Sequence, residues 1–147
     1  LGLGMTGLYA QPAIGQADRA VAEQMMQSVG KTLWVDEEAG INGVIAAAGS
    51  APAYFFLFMQ AIAEEAEAMG FTPEQARLLV QQTALGAAAM VEQNPDLSLQ
   101  TLREQVTSKG GTTAEAVKTF QEQGLMPLTA RAMQAAVTRA GEMETLF

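Results

Sequence analysis

Apolar residues recur along most of this chain at the spacing of amphipathic helices. The first such segment covers residues 17–29, where Val21 and Met25 share one side, and Gly30 follows as a natural stop. Residues 31–35 are short and apolar and predict a strand, and the residues before the helix are also strand-like. The pattern therefore predicts a βαβ-like unit. Because one such unit cannot cover both faces of a sheet, we interpret it as the remnant of a larger α/β domain.

Residues 39–63 form a run of twenty-five positions without a charge, which is long enough for a membrane span. The sequence Gly-Ser-Ala-Pro at residues 49–52 interrupts the run, and a proline inside a helix removes a hydrogen bond. We therefore predict two buried helices, 37–48 and 51–69, with Ser50 as the N-cap of the second. The second helix is apolar on nearly all sides, and a partner subunit is its expected cover.

Four more helices are predicted further along the chain. The first begins with a capping-box pattern, in which Thr72 is the N-cap and Gln75 is the third helical residue. In order, the four cover Thr72 to Gln93, Ser98 to Val106, Thr113 to Gln123, and Pro127 onward. The sequence thus predicts a mainly α fold, a helical bundle preceded by the short βαβ-like remnant.

The composition excludes several kinds of chemistry. The chain has no cysteine and no histidine, which excludes disulfides, thiol nucleophiles, Ser-His-Asp triads and the usual zinc sites, and we predict no metal site. The net charge is −8 with only eight Lys and Arg residues, which argues against a nucleic-acid or anionic-membrane partner. The chain does not open with the pattern of a secretory signal, so we expect a cytoplasmic protein.

Residues Gly2–Gly7 match the dinucleotide-binding pattern G-x-G-x-x-G. The pattern has that meaning only between a strand and the start of a helix. Here one residue precedes it and a strand-like or loop-like stretch follows it. We therefore reject it as a nucleotide-binding loop and predict no cofactor-binding residue in this chain.

The stretch from Val106 to Glu115 lies between two predicted helices. Its Gly-Gly pair allows positive φ and a close backbone approach, and either of the two following threonines can cap the next helix. The first turn of a helix has unpaired amides and a dipole that favours anions. Two interpretations are open: an anion cradle lined by hydroxyls, or a connector whose residues only cap their own helix. Local chemistry alone favours the connector.

Four segments of the sequence resemble the motifs of one protein family. In chain order they are Gly4-Met-Thr6, Gly49-Ser-Ala-Pro-Ala-Tyr54, Thr83-Ala-Leu-Gly-Ala-Ala-Ala-Met90 and Leu102-Arg-Glu-Gln-Val-Thr-Ser-Lys-Gly-Gly-Thr-Thr113. In sequence, order and spacing they resemble the motifs of the pyrroline-5-carboxylate reductases, and the resemblance spans nearly the whole chain.

The resemblance implies an enzyme that reduces the C=N bond of 1-pyrroline-5-carboxylate to L-proline with NADPH or NADH. Members of that family have an N-terminal Rossmann domain and an all-helical C-terminal domain that interlocks with a second subunit, and some assemble further into decamers. Residues 1–36 are then expected to end the NAD(P)-binding domain, and residues 37–147 to form the helical dimerisation and substrate-loop domain. The cofactor would be bound mainly by a preceding domain, so this chain alone is expected to be inactive.

The resemblance also assigns a substrate loop. The Ser108 hydroxyl and the backbone amides of Gly110, Gly111 and Thr112 would hold the pyrroline carboxylate. Thr113 matches a threonine whose hydroxyl lies near the ring nitrogen. Because a threonine hydroxyl is a poor acid, we expect it to orient the imine or to act through a water, while hydride from the cofactor drives the reaction.

Two further positions of the sequence bear on the substrate site, and two hypotheses compete with the reductase assignment. Glu38 matches an acidic substrate-contacting position in some members, but a solvated acid at a helix start is the alternative interpretation. Lys109 stands where most members have proline, which either makes the loop less rigid or adds a cation near the carboxylate. Of the two competing hypotheses, one is a helical dimerisation module without ligand binding, and the other is a membrane hairpin around residues 41–63.

Overall fold

The computed structural model of the chain describes residues 1–144 and 146. Over these residues it forms a two-stranded sheet and seven α-helices, with one π-helical turn between the second and third helices. In order they are β1 (Gly4–Leu8), α1 (Gln16–Gln27), β2 (Gly30–Trp34), α2 (Gly40–Val44), the π-turn (Ile45–Gly49), α3 (Ala51–Ala68), α4 (Pro73–Gln93), α5 (Leu99–Gln105), α6 (Thr112–Glu122) and α7 (Leu125–Glu144). The predicted fold class is confirmed.

The βαβ-like unit is confirmed in detail. Strands β1 and β2 pair in parallel, in a register that places Gly4 opposite Gly30 and Leu8 opposite Trp34, and α1 is the crossover between them. Gly4 and Gly7 lie inside β1 rather than in a turn between a strand and a helix. The G-x-G-x-x-G pattern therefore does not have the geometry of a nucleotide-binding loop.

Two glycines allow the first pair of residues in this sheet to approach closely. A Cβ atom on Gly30 would overlap the backbone nitrogen and carbonyl group of Gly4. The amide of Gly4 in turn donates to the carbonyl of Val29 at 3.0 Å. Only glycine fits at position 30, because any side chain there would push the two strands apart.

The predicted break before Pro52 is wrong. Ser50 has φ −88° and ψ −23°, which is helical rather than the extended conformation of an N-cap, and its amide donates to the carbonyl of Ile45 at 2.7 Å. The helix therefore continues through a π-turn into α3. Pro52 has no amide hydrogen and its ring crowds the carbonyl four residues earlier, and the wider π-turn placed directly before it accommodates both effects.

This continuity also changes the argument about a membrane span. The helical run Gly40–Ala68 has 29 residues, and its most apolar 18-residue window has a mean hydropathy of 1.5, so by length and composition it could cross a membrane. The predicted interruption of the run was the reason to reject such a span, and that reason no longer holds. Only 6% of its most apolar window is buried within the chain, so its apolar surface needs a cover.

The chain divides into two compact units, each described by itself. The first unit comprises residues Leu1–Ala53 and Leu128–Phe147, and the second comprises Tyr54–Pro127. In the first, the side-chain amide of Asn42 on α2 donates to the carboxylate of Glu144 at the end of α7, at 2.7 Å. This division into units does not test the predicted domain boundary near residue 36, which stays a prediction.

The second unit contains the helices on either side of the Gly-Gly loop. Leu102 on α5 is buried, and so are Ala76 and Val80 on α4. The rings of Phe58 on α3 and Phe120 on α6 meet edge to face, with centroids 5.6 Å apart. These contacts set the positions of the two helices that the loop joins.

One chain buries little of its apolar surface. Among the described residues, only Ala46, Ala76, Val80 and Leu102 are buried hydrophobic residues. By contrast, three consecutive residues of α3 expose between 64% and 69% of their surface: Phe55, Phe56 and Leu57. Contiguous exposed apolar side chains of this kind are typical of an interaction surface.

The close approach of β1 and β2 makes a testable prediction. We expect Gly30→Ala to lower the free energy of unfolding by about 2–4 kcal/mol, because the new Cβ must displace the Gly4 backbone. Gly43→Ala is the matched control, since no atom lies within 4 Å of the added Cβ. On α2 it should raise stability by about 0.5–1 kcal/mol. Urea unfolding followed by circular dichroism measures both, and equal midpoints for the two variants would contradict the observed strand register.

Candidate functional site

The loop between α5 and α6 starts with the end of α5. The amides of Val106 and Thr107 donate to the carbonyls of Arg103 and Glu104, at 3.3 and 3.1 Å. The Thr107 hydroxyl donates to the carbonyl of Arg103 at 2.6 Å. Since this hydroxyl satisfies the end of α5, it does not contribute to the chemistry of the loop that follows.

A tight turn at residues 108–111 follows. The amide of Gly111 donates to the carbonyl of Ser108 at 3.0 Å, and Gly110 has φ +71°. Among the described residues only glycines have positive φ, so Lys109 has negative φ and the turn is of type II. The Gly110 conformation therefore requires glycine. A Cβ on Gly111 would overlap the Ser108 hydroxyl oxygen, which places that hydroxyl directly against the start of α6.

The start of α6 has no side-chain cap. Its N-cap is Gly111, with φ −84° and ψ 171°, and no side chain accepts a hydrogen bond from the first turn. The prediction that one of the two threonines caps the helix is wrong, because Thr112 and Thr113 are already helical residues. Within the described part of the chain, the amides of Thr112, Thr113 and Ala114 have no acceptor. Three donors and two exposed hydroxyls thus meet next to Ser108.

The two preceding helices are capped by their own residues. The Thr72 hydroxyl accepts from the amide of Gln75 at 3.3 Å, and the Gln75 side chain accepts from the amide of Thr72 at 2.9 Å, which confirms the predicted capping box. A hydrogen bond from its own backbone amide, together with one from the Thr72 hydroxyl, lowers the pKa of Glu74. Ser98 caps α5 as predicted, accepting from the amide of Thr101 at 3.0 Å. The start of α6 is left available to an external anion.

Glu38 belongs to the first unit, whereas the loop belongs to the second. Its exposed side chain lines an open cavity of about 640 Å³. Other lining residues are Tyr9, Asn42, Ser50, Arg139 and Glu144. Sequence reasoning did not identify this cavity, because its walls come from segments about a hundred residues apart.

A second open cavity, of about 610 Å³, lies within the second unit between α3 and α4. Its lining is mostly apolar, with residues such as Phe56, Met59, Ala63, Pro73, Arg77 and Val80. Sequence reasoning predicted an apolar α3 but not this groove. Its apolar character indicates a packing surface rather than a polar binding site.

The β1–α1 turn does not fit the pyrophosphate of a nicotinamide cofactor. The Arg19 guanidinium donates to the carbonyls of Ala10 and Gln11, at 3.2 and 3.3 Å, and its Nε donates to the carbonyl of Ile14 at 3.3 Å. The same guanidinium lies 5.6 Å from the centre of the Trp34 ring. Carbonyl oxygens that face a cation are the opposite of the amide donors that a phosphate needs. Over residues 1–144 and 146, no group of three or more acidic side chains could hold a metal ion.

Comparisons with known proteins agree with the fold and identify the family of the chain. Residues 38–143 match the family described as pyrroline-5-carboxylate reductase dimerisation. The chain is 64% identical, over all of its 147 residues, to a pyrroline-5-carboxylate reductase of Vibrio alginolyticus, of which it covers 54%. It is 47% identical to the Haemophilus influenzae protein of the same name, again over its whole length and 54% of the relative.

Solved structures give the same result. A pyrroline-5-carboxylate reductase of Coxiella burnetii superimposes with a TM-score of 0.91 at 43% identity, over 96% of this chain and 52% of that one. A Plasmodium falciparum pyrroline carboxylate reductase, solved with NADP bound, shares the fold with a TM-score of 0.82 at 23% identity, over 93% of this chain and 52% of that one. The chain spans about half the length of the curated relatives that it matches. The match over residues 38–143 covers well over half of the sequence, and the chain belongs to the pyrroline-5-carboxylate reductase family.

Proposed function

We propose that this chain is the C-terminal part of an enzyme that reduces 1-pyrroline-5-carboxylate to L-proline in the cytoplasm. Family membership and the names of the relatives support the reaction. NADPH or NADH would supply the hydride from a site formed mainly outside these residues, since the β1–α1 turn does not fit a pyrophosphate. The contribution of this chain is to bind and orient the substrate and to form the dimer.

The observation that carries the proposal is the uncapped start of α6. The amides of Thr112, Thr113 and Ala114 have no acceptor within the described residues, and the Ser108 hydroxyl lies against the same turn. A carboxylate can accept from several such donors at once, and the helix dipole favours its charge. The Ser108 hydroxyl and the Thr112 amide are therefore proposed to hold the substrate carboxylate. Gly110, with its positive φ, and Gly111, whose amide donates to the Ser108 carbonyl, are proposed to shape the loop that presents these donors.

Thr113 is proposed as the residue that acts nearest to the reacting bond. Reduction of the C=N bond adds hydride to the carbon, and the ring nitrogen takes up a proton. The Thr113 hydroxyl would accept from or donate to that nitrogen, directly or through a water, and so hold the ring in one orientation. Glu38, in the first unit, is kept as a further proposed substrate contact.

Two observations support a dimer: the family that the chain matches and the exposed apolar surface of α3. The matched family is one of dimerisation domains, which supports a homodimer. We propose that a second copy of the chain covers α3 and the groove between α3 and α4, which together present Phe55, Phe56 and Leu57 to solvent in a single copy. Assembly of the dimers into decamers, as in some members of the family, is proposed on the resemblance alone.

The carboxylate site is tested by the binding of L-proline to the purified chain, measured by calorimetry. We expect binding by the parent chain and a loss of at least about tenfold for Gly111→Ala, since the added Cβ displaces the Ser108 hydroxyl and removes donors worth about 1.5 kcal/mol or more. Gly86→Ala is the matched control, because no atom lies within 4 Å of its Cβ, and its affinity should equal that of the parent.

Two results would favour the dimerisation module without ligand binding. One is no binding by the parent chain while its circular dichroism shows the helices formed. The other is equal affinity of Gly111→Ala and Gly86→Ala.

The role of Thr113 is tested in the complete reductase that carries this chain. We expect Thr113→Ala to lower kcat with 1-pyrroline-5-carboxylate by about tenfold, because a misoriented ring reacts more slowly. Thr113→Ser keeps the hydroxyl and should recover most of the rate. Unchanged turnover in Thr113→Ala would exclude a role for this hydroxyl in the reaction.

The dimer is tested by sedimentation equilibrium of the chain. We expect a dimer whose dissociation constant rises at least about tenfold in Phe56→Glu, because a charge must then be buried against the second copy. Met25→Glu is the control, since Met25 is 68% exposed but lies outside the matched residues 38–143. A monomeric parent chain that partitions into detergent would instead indicate that lipid covers α3.

A further inference from the structure

Lys109 occupies the second position of the type II turn at residues 108–111. Proline is common at that position, because its ring sets the φ that the turn needs. Here the turn forms with lysine: the Gly111 amide still reaches the Ser108 carbonyl at 3.0 Å, and Gly110 supplies the positive φ. The turn that presents Ser108 to the start of α6 therefore does not depend on a proline ring.

Lys109 has no counter-ion among the described residues. Its side chain is exposed. Two other cations of the chain are paired: Lys118 lies 3.9 Å from Glu122, and Arg139 lies 2.8 Å from Glu142. An unpaired ammonium beside unpaired amides is a combination that favours a bound anion.

The charge of the whole chain makes this cation more important. Acidic residues outnumber basic ones by 16 to 8, so the net charge of −8 repels an anionic substrate. Only one residue separates Lys109 from the N-cap Gly111, and its flexible four-carbon side chain allows the ammonium to approach the first turn of α6 to within the Debye length of about 10 Å at 0.1 M salt. Its field therefore acts on any anion held at the first turn of α6.

We propose that Lys109 is a specificity-determining residue of the substrate loop, and that its ammonium adds a screened positive charge for the carboxylate of the cyclic imino acid. The inference rests on the function proposed above, because it takes the anion at α6 to be that carboxylate. Lys109 acts on binding and not on the reacting bond, so its effect is on the KM for the substrate rather than on kcat. This effect weakens as ionic strength rises.

The test uses the complete reductase that carries this chain, with steady-state kinetics at about 0.02 M and 0.5 M salt. We expect Lys109→Gln to raise the KM for 1-pyrroline-5-carboxylate by about two- to fivefold at low salt, the range of an exposed charge interaction, and to leave kcat and the KM for the cofactor unchanged. Lys109→Arg keeps the charge and should stay near the parent. In the parent the KM should rise with salt, and in Lys109→Gln it should not. Lys118→Gln, seven residues beyond the N-cap Gly111 and paired with Glu122, is the matched control and should behave as the parent.

Three results would overturn the inference. The first is an unchanged substrate KM in Lys109→Gln. The second is an equal shift in Lys109→Gln and Lys109→Arg, which would indicate a structural effect of the side chain. The third is a shift in the cofactor KM instead, which would assign the cation to the cofactor. A parent enzyme that does not reduce 1-pyrroline-5-carboxylate would contradict the proposed function itself, whereas normal reduction with any of these three results contradicts only the role of Lys109.

Discussion

Burial of apolar surface is the largest favourable contribution to the free energy of folding. A single copy of this chain buries little of its apolar surface. Over the part of the chain that the structure describes, four small or medium hydrophobic side chains are buried, while α3 presents consecutive aromatic and aliphatic residues to solvent. The helix is continuous from Gly40 to Ala68, and only 6% of its most apolar window is buried within the chain. A surface of this kind becomes stable in water only when another apolar surface covers it. The match of residues 38–143 to a dimerisation family supports the proposal that a second copy provides that cover.

The second constraint is local and concerns backbone amides. Every helix begins with donors that lack a partner inside the helix, and α4 and α5 satisfy theirs with Thr72 and Ser98. At α6 the sequence offers three hydroxyls, yet the type II turn uses the backbone of Ser108 and leaves the first amides open. Fold and function are connected here, because a cap made by the chain itself would remove the place where a carboxylate can bind.

Much of this organisation could be predicted from local patterns. The strand–helix–strand start and the Thr72–Gln75 capping box follow from hydrophobic spacing and from short-range side-chain chemistry, and both are present. The predicted Ser50 cap failed because a π-turn, which has no reliable sequence signal, carries the helix past Pro52. The Asn42–Glu144 contact joins residues 102 positions apart, so no local pattern could reveal it. Motif resemblance, and not local chemistry, led to the anion cradle at α6.

Hydrogen exchange at the first turn of α6 tests the central claim most directly. The account predicts that L-proline slows exchange of the Thr112, Thr113 and Ala114 amides, since each gains an acceptor, while the already capped first turn of α4 is unaffected. Binding of L-proline without any change at these three amides, or with protection elsewhere only, would contradict the assignment of the carboxylate to this helix.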